Sequence, residues 1–183
     1  LGGTSLGTAT TTVVNGLGTA NISLPSSFTG IAVIKVSGCN TCTYLDERTM
    51  QPVAFSTSDA LMAVLPSVTS AQDRSVGVSA LTSMAAAKLG VTSTNFSNTS
   101  FTPPNTPITT ASLNTAVSTV LDIFGVSGND TANADLMFSK PVVYGVNYTA
   151  GDKLSGSGNS LSLGVLLTAL AKSAPAGTPL TTQ

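Results

Sequence analysis

The sequence predicts an α+β fold: an N-terminal antiparallel β-sandwich-like part followed by a three-helix segment. Three observations carry this. Up to Pro66, short apolar and β-branched runs are separated by turn residues. After Pro66 the apolar spacing changes to i, i+3, i+4. Hydrophobic residues make up 42% of the 183, enough for a core. Length allows one ordinary domain or two small ones. The organisation expected is an N-terminal strand over 1–18, a β part over 19–66, helices and long polar loops over 67–174, and a tail over 175–183.

In the β part, Thr8 to Val14 is rich in Thr and Val, which suits a pleated strand. Asn15-Gly16 signals a hairpin turn. Thr19 to Leu24 alternates polar and apolar and stops at Pro25. Gly30 to Val36 is the clearest strand, with Ile31, Val33 and Lys35 on one face and Ala32, Ile34 and Val36 on the other. Thr43 to Leu45, Val53 to Phe55 and Leu61 to Leu65 follow, the last closed by Pro66.

The first helix reads over Val76 to Leu89, with Ser79 as N-cap and Gly90 just past its end. Val91 to Pro107 is polar and irregular. The second helix reads over Thr109 to Phe124. Leu113, Ala116, Val117, Val120, Leu121 and Phe124 make its apolar face, and Thr110 is its expected cap. Ser127 to Asn133 reads as a loop, Val142 to Tyr144 as a short extended stretch, and Thr149 to Ser160 as turns. Leu161 to Lys172 is the third helix. It is uniformly apolar and therefore expected at the centre.

Composition narrows the function classes. Lys and Arg number 7 against 8 Asp and Glu, and charged residues are 8% of the chain, where about a quarter is usual. Ser and Thr number 52. The surface is thus built from hydroxyls rather than ions. There is no basic patch for nucleic acid. With no His there is no imidazole base, no Ser-His-Asp triad and no His-containing zinc site. Small net charge favours association. The apolar run from Leu161 to Ala171 is too short to span a bilayer, which takes about 20 residues, so no transmembrane segment is expected. The chain opens Leu1-Gly2-Gly3 without a signal-like segment, so any export signal has been removed or left out.

The two cysteines stand in Gly38-Cys39-Asn40-Thr41-Cys42. A redox C-x-x-C needs a helix N-terminus, and the flanks here read as strand, turn, strand. A zinc site needs four ligands. A Cys39–Cys42 disulfide pinching a β-turn fits best, with free thiols as the alternative. A disulfide implies an oxidising compartment.

Several stretches together resemble a family. They are Tyr44-Leu45-Asp46-Glu47, the strand Leu61-Met62-Ala63-Val64-Leu65-Pro66, the Ala-rich opening Val78-Ser79-Ala80-Leu81-Thr82-Ser83-Met84-Ala85-Ala86-Ala87, and Phe124-Gly125-Val126. This order is similar to secreted or lipid-anchored betaproteobacterial surface proteins, in which an Ig-like, carboxypeptidase-regulatory-like β-domain precedes a helical segment. The resemblance covers about residues 19–173. It implies an exported, surface-associated protein and carries over no catalytic residue.

Asn15 to Pro66 is short for an Ig sandwich of about 100 residues, so the β part reads as an incomplete one. Incomplete sheets leave edges open. Thr8, Thr10, Thr12, Val13 and Val14 lie in a flat run without Lys, Pro or charge. The plain reading pairs this run within its own domain. The other inserts it into a neighbour's sheet, a head-to-tail contact that makes a fibre.

Candidate chemistry is sparse. Asp46-Glu47 is the adjacent carboxylate pair, and strand neighbours point to opposite faces. Gly128-Asn129-Asp130 with Asp135 offers oxygens but lacks an EF-hand pattern. Gly156 to Ser160 lacks the lysine of a phosphate loop. Gly77 to Leu81 lacks the second Gly of a nucleophile elbow. Ser83 and Lys88 are five apart on one helix, a poor spacing for contact. Asn-x-Ser/Thr sequons occur at Asn21, Asn95, Asn98, Asn129 and Asn147, and Thr92 to Thr109 could carry O-linked sugar. No cofactor, metal or enzymatic activity is expected. The leading expectation is an extracellular structural protein, a self-assembling subunit of a bacterial surface filament, sheath or matrix. The alternative is a monomeric surface-lipoprotein adhesion or binding module.

Overall fold

The computed structural model describes residues 3–14, 17–46, 49, 51–70, 73–97, 100–139 and 158–173. Expectations for Asn15-Gly16, Glu47, Asn98, Val142 to Tyr144, Asn147, residues 149–157 and the tail fall outside them. The described chain is mixed α+β, with small antiparallel sheets and four helices. In order these are β1 (Gly3–Thr4), β2 (Thr12–Val14), β3 (Leu17–Thr19), β4 (Thr29–Ser37), β5 (Thr43–Asp46), β6 (Gln51–Ala54), β7 (Ala60–Thr69), α1 (Ala80–Lys88), β8 (Ser100–Phe101), α2 (Thr110–Ile123), α3 (Asp130–Met137) and α4 (Gly158–Ser173).

The four described sheets are each two-stranded: β1 with β8, β2 with β3, β4 with β7, and β5 with β6. The long β4–β7 ribbon is the backbone of the fold. Its run Leu61-Met62-Ala63-Val64-Leu65 is continuously apolar because both faces are covered. Met62 and Val64 join the main core, while Leu65, with Ala32 and Val68, forms a second cluster under Leu24, Phe28, Val76 and Phe138.

Helices close over the first face. Leu81, Ala85 and Ala86 of α1, Leu113, Val117, Val120 and Leu121 of α2, Leu136 and Met137 of α3, and Leu163 and Leu167 of α4 all bury into the same cluster as Met62 and Val64. The β ribbon and the helices therefore share one core.

Several expectations need correction. Pro66 does not close its strand, which runs on to Thr69. Ala32 pairs with Leu65 and Gly30 with Val68, so Pro66 and Ser67 together oppose Ile31. Such a bulge is where a strand accepts a residue with no N–H. Ser67 takes a left-handed φ of 45° there. Thr8 to Thr11 form no strand; only Thr12–Val14 does. Residues 20–24 form none either, and Ile22 is left 44% exposed.

Among the helices, Ser79 caps α1 as expected, but Thr109 rather than Thr110 caps α2. The loop expected over Ser127 to Asn133 gives way to α3 at Asp130. Asn133, Leu136 and Met137 are its buried face, and a polar residue at the first of those positions hides the period. Asn133 is satisfied there: its Nδ2 donates to Ser118 Oγ at 2.8 Å and to the Gly128 carbonyl at 3.2 Å. α4 begins three residues before Leu161 and is an outer helix rather than a central one, with Val165 60% exposed.

Candidate functional site

The feature with most capacity for interaction is the outer edge of β4, and its geometry follows from how β7 is held. Met62 gives its N–H to Ser83 Oγ of α1 at 2.9 Å, and the same hydroxyl lies 3.4 Å from the Met62 carbonyl. In an antiparallel ladder a residue's N–H and C=O point to one side and alternate along the strand. Met62 therefore faces away from β4, toward α1. Its partner Lys35 faces away from β7.

The far end of β4 confirms the alternation. Gly38 N–H, three residues on, bonds inward to the Asp59 carbonyl at 3.1 Å. Val33, Lys35 and Ser37 thus turn their backbone groups outward, where no strand of the described residues pairs with them. Beyond Ser37 the edge closes, because the outward N–H of Cys39 is taken by the Phe55 carbonyl at 3.0 Å. The bulge limits the other end. The open stretch is about 14 Å long at about 3.4 Å per residue.

Lys35 is the charge on this edge. Its Nζ sits 5.3 Å from the centre of the Phe96 ring, and Phe96 packs on Phe101 at 5.0 Å. The cation is thereby held over a face of the ribbon.

Cys39 and Cys42 are joined in a disulfide, with Cα atoms 4.9 Å apart. Cys42 N–H bonds the Cys39 carbonyl, and Phe55 N–H bonds the Cys42 carbonyl at 2.8 Å. The staple thus fixes the root of the β5–β6 hairpin against the end of β4. Gly38 is required there, since a Cβ would stand 2.1 Å from the Ser56 carbonyl oxygen.

The remaining sequence candidates hold structural places. Ser79 and Thr82 form a capping box: Ser79 N–H donates to Thr82 Oγ1 at 2.8 Å, and Thr82 N–H to Ser79 Oγ at 3.4 Å. Thr82 is 1% exposed, so a carboxylate in its place would bury a charge. Asp46 accepts from Thr49 Oγ1. Asn129 caps α3, and Asp130 accepts from Asn114 Nδ2. Among the described residues no three metal-binding side chains converge, and no helix is long and apolar enough to cross a membrane.

Of the sequons, Asn21 is exposed in an irregular stretch. Asn95 uses both ends of its amide, accepting from Thr92 N–H and donating to the Thr102 carbonyl. Thr8 and Thr10 are exposed and in no strand, while Thr12, Val13 and Val14 pair with Thr19, Gly18 and Leu17 of the same chain. An open groove of about 780 Å³ lies between Lys88 and Leu89, the loop around Pro104 to Ile108, and Ser112, Thr115 and Thr119 of α2. The β4 edge was missed in the sequence because alternation of residues does not say which neighbours a strand has. Compared with known families, curated proteins and solved structures, the chain matches none.

Proposed function

We propose that this protein is an extracellular structural subunit, not an enzyme, that joins copies of itself through sheet edges into a bacterial surface filament, sheath or matrix. One observation carries the reading: all four described sheets have two strands, so among the described residues each of their strands pairs with one other strand, as edge strands do. An incomplete Ig-like sandwich, waiting for strands from elsewhere, belongs to the same proposal.

The sparse charge and hydroxyl-rich surface support close contact between copies. The Cys39–Cys42 disulfide supports an exported location. Sugar on exposed sequons such as Asn21 is compatible with such a surface. The test is the size of the full-length chain in solution, by light scattering and electron microscopy. Ordered polymers that vanish on deletion of residues 1–11 are the expected result. A monomer at every concentration tested sinks the reading and leaves the adhesion module in its place.

A further inference from the structure

We propose that the open edge of β4 at Val33, Lys35 and Ser37 accepts the segment Thr8 to Val14 of a second copy, so that copies join head to tail. This rests on the self-assembly reading and adds the edge that accepts the donated segment.

Three observations select this pairing. First, the backbone groups of Val33, Lys35 and Ser37 point outward, as the Ser83–Met62 and Gly38–Asp59 bonds require. A row of donors and acceptors at a spacing of about 7 Å is matched by another extended backbone. Second, the edge carries Lys35. A symmetric antiparallel β4–β4 contact sets one Lys35 opposite or diagonal to the other, and like charges there are destabilising. The occupant must therefore be a strand without a cation. Third, the chain holds such a strand. Thr8 to Val14 has no charge, Thr8 to Thr11 are exposed and in no ladder, and among the described residues Thr12–Val14 pair with β3 alone. Docking against β4 of the next copy makes a four-stranded sheet, β3-β2-β4-β7, across the junction. Because donor and acceptor differ, each copy offers one of each, and the contact propagates without closing.

Val33→Pro tests the acceptor. The Val33 N–H points away from β7, so proline there removes an outward donor and keeps the inner ladder. Circular dichroism and thermal unfolding report the fold, and sedimentation reports assembly. A folded variant that needs about tenfold more protein to assemble is expected, as for the loss of one backbone hydrogen bond. A folded variant that assembles like the parent overturns the β4 assignment while leaving self-assembly intact. A parent chain that never assembles overturns both.

Cross-linking gives a second arm that does not depend on the fate of Val33→Pro. Chains bearing Thr10→Cys are mixed with chains bearing Ser37→Cys, which keep Lys35, and oxidised. A disulfide between positions 10 and 37 of different chains is expected by peptide mass mapping. Only 37–37 links, or none, overturn the proposal.

Discussion

The Ser83 hydroxyl takes the Met62 N–H across 21 residues of chain, at 2.9 Å. It also donates to the Ser79 carbonyl one helical turn back at 2.9 Å. One side chain thus ties α1 to the outer side of β7 and closes at Met62 an edge that would otherwise be open. Ser83→Ala leaves the partly buried Met62 N–H unpaired, at a cost of about 1–3 kcal/mol. For a chain of this length the melting temperature should fall by about 2–4 °C per kcal/mol. An unchanged midpoint in calorimetry would show that the strap contributes nothing.

Two glycines should respond differently to alanine. Gly38 has ordinary backbone angles but no room: its Cβ would meet the Ser56 and Phe55 carbonyl oxygens at 2.1 and 2.3 Å. Backbone must move, which breaks the Gly38–Asp59 bond and the hairpin root. Gly125 has a left-handed φ of 70° and nothing within 4 Å of its Cβ, so Gly125→Ala costs only the conformational preference, about 1 kcal/mol. Urea denaturation of the two variants should separate them by about 1 kcal/mol or more. Equal losses would mean that the hairpin root relaxes freely.

Much of this fold was legible in the sequence, for identifiable reasons. The first half of β7 announces itself because burial on both faces demands an unbroken apolar run, and β4 because Ile31, Val33, Ile34 and Val36 are β-branched and suit a pleated strand. Ser79 is legible as a cap because a hydroxyl before an apolar-periodic stretch has few other uses. α3 was hidden because Asn133 sits where an apolar residue is expected and is satisfied by Ser118 and Gly128, partners 15 and 5 residues away. The end of β7 was hidden because the bulge opposite Ile31 depends on a strand more than 30 residues earlier. Likewise the open β4 edge is a property of pairing, and single residues do not record which side of a strand is left without a neighbour.

The Cys39–Cys42 disulfide closes a very short loop, so its chain-entropy contribution is small, about 2 kcal/mol. Its effect should be local. Cys39→Ser/Cys42→Ser should speed amide exchange at Phe55, which bonds the Cys42 carbonyl, while amides of the β4–β7 ladder keep their protection. Loss of protection in the central ladder would place the staple in the global core instead.

Lys35 offers the sharpest charge test. Two like charges about 5 Å apart at a protein surface repel by about 1–3 kcal/mol, which is about 5- to 150-fold in an association constant. If that repulsion is what prevents symmetric β4–β4 pairing, Lys35→Thr should release it and a two-fold dimer should appear in sedimentation. Lys35→Glu should not, because its copies repel as well. Mixing Lys35→Glu with the parent chain, however, sets opposite charges across the axis, and a mixed dimer should form that weakens as salt screens the pair. Lys35→Thr also gives up the contact with Phe96, worth about 0.5–1 kcal/mol at an exposed site. Its unfolding must therefore be measured beside its association. If Lys35→Thr is folded and associates no differently from Lys35→Glu, charge does not decide what this edge accepts.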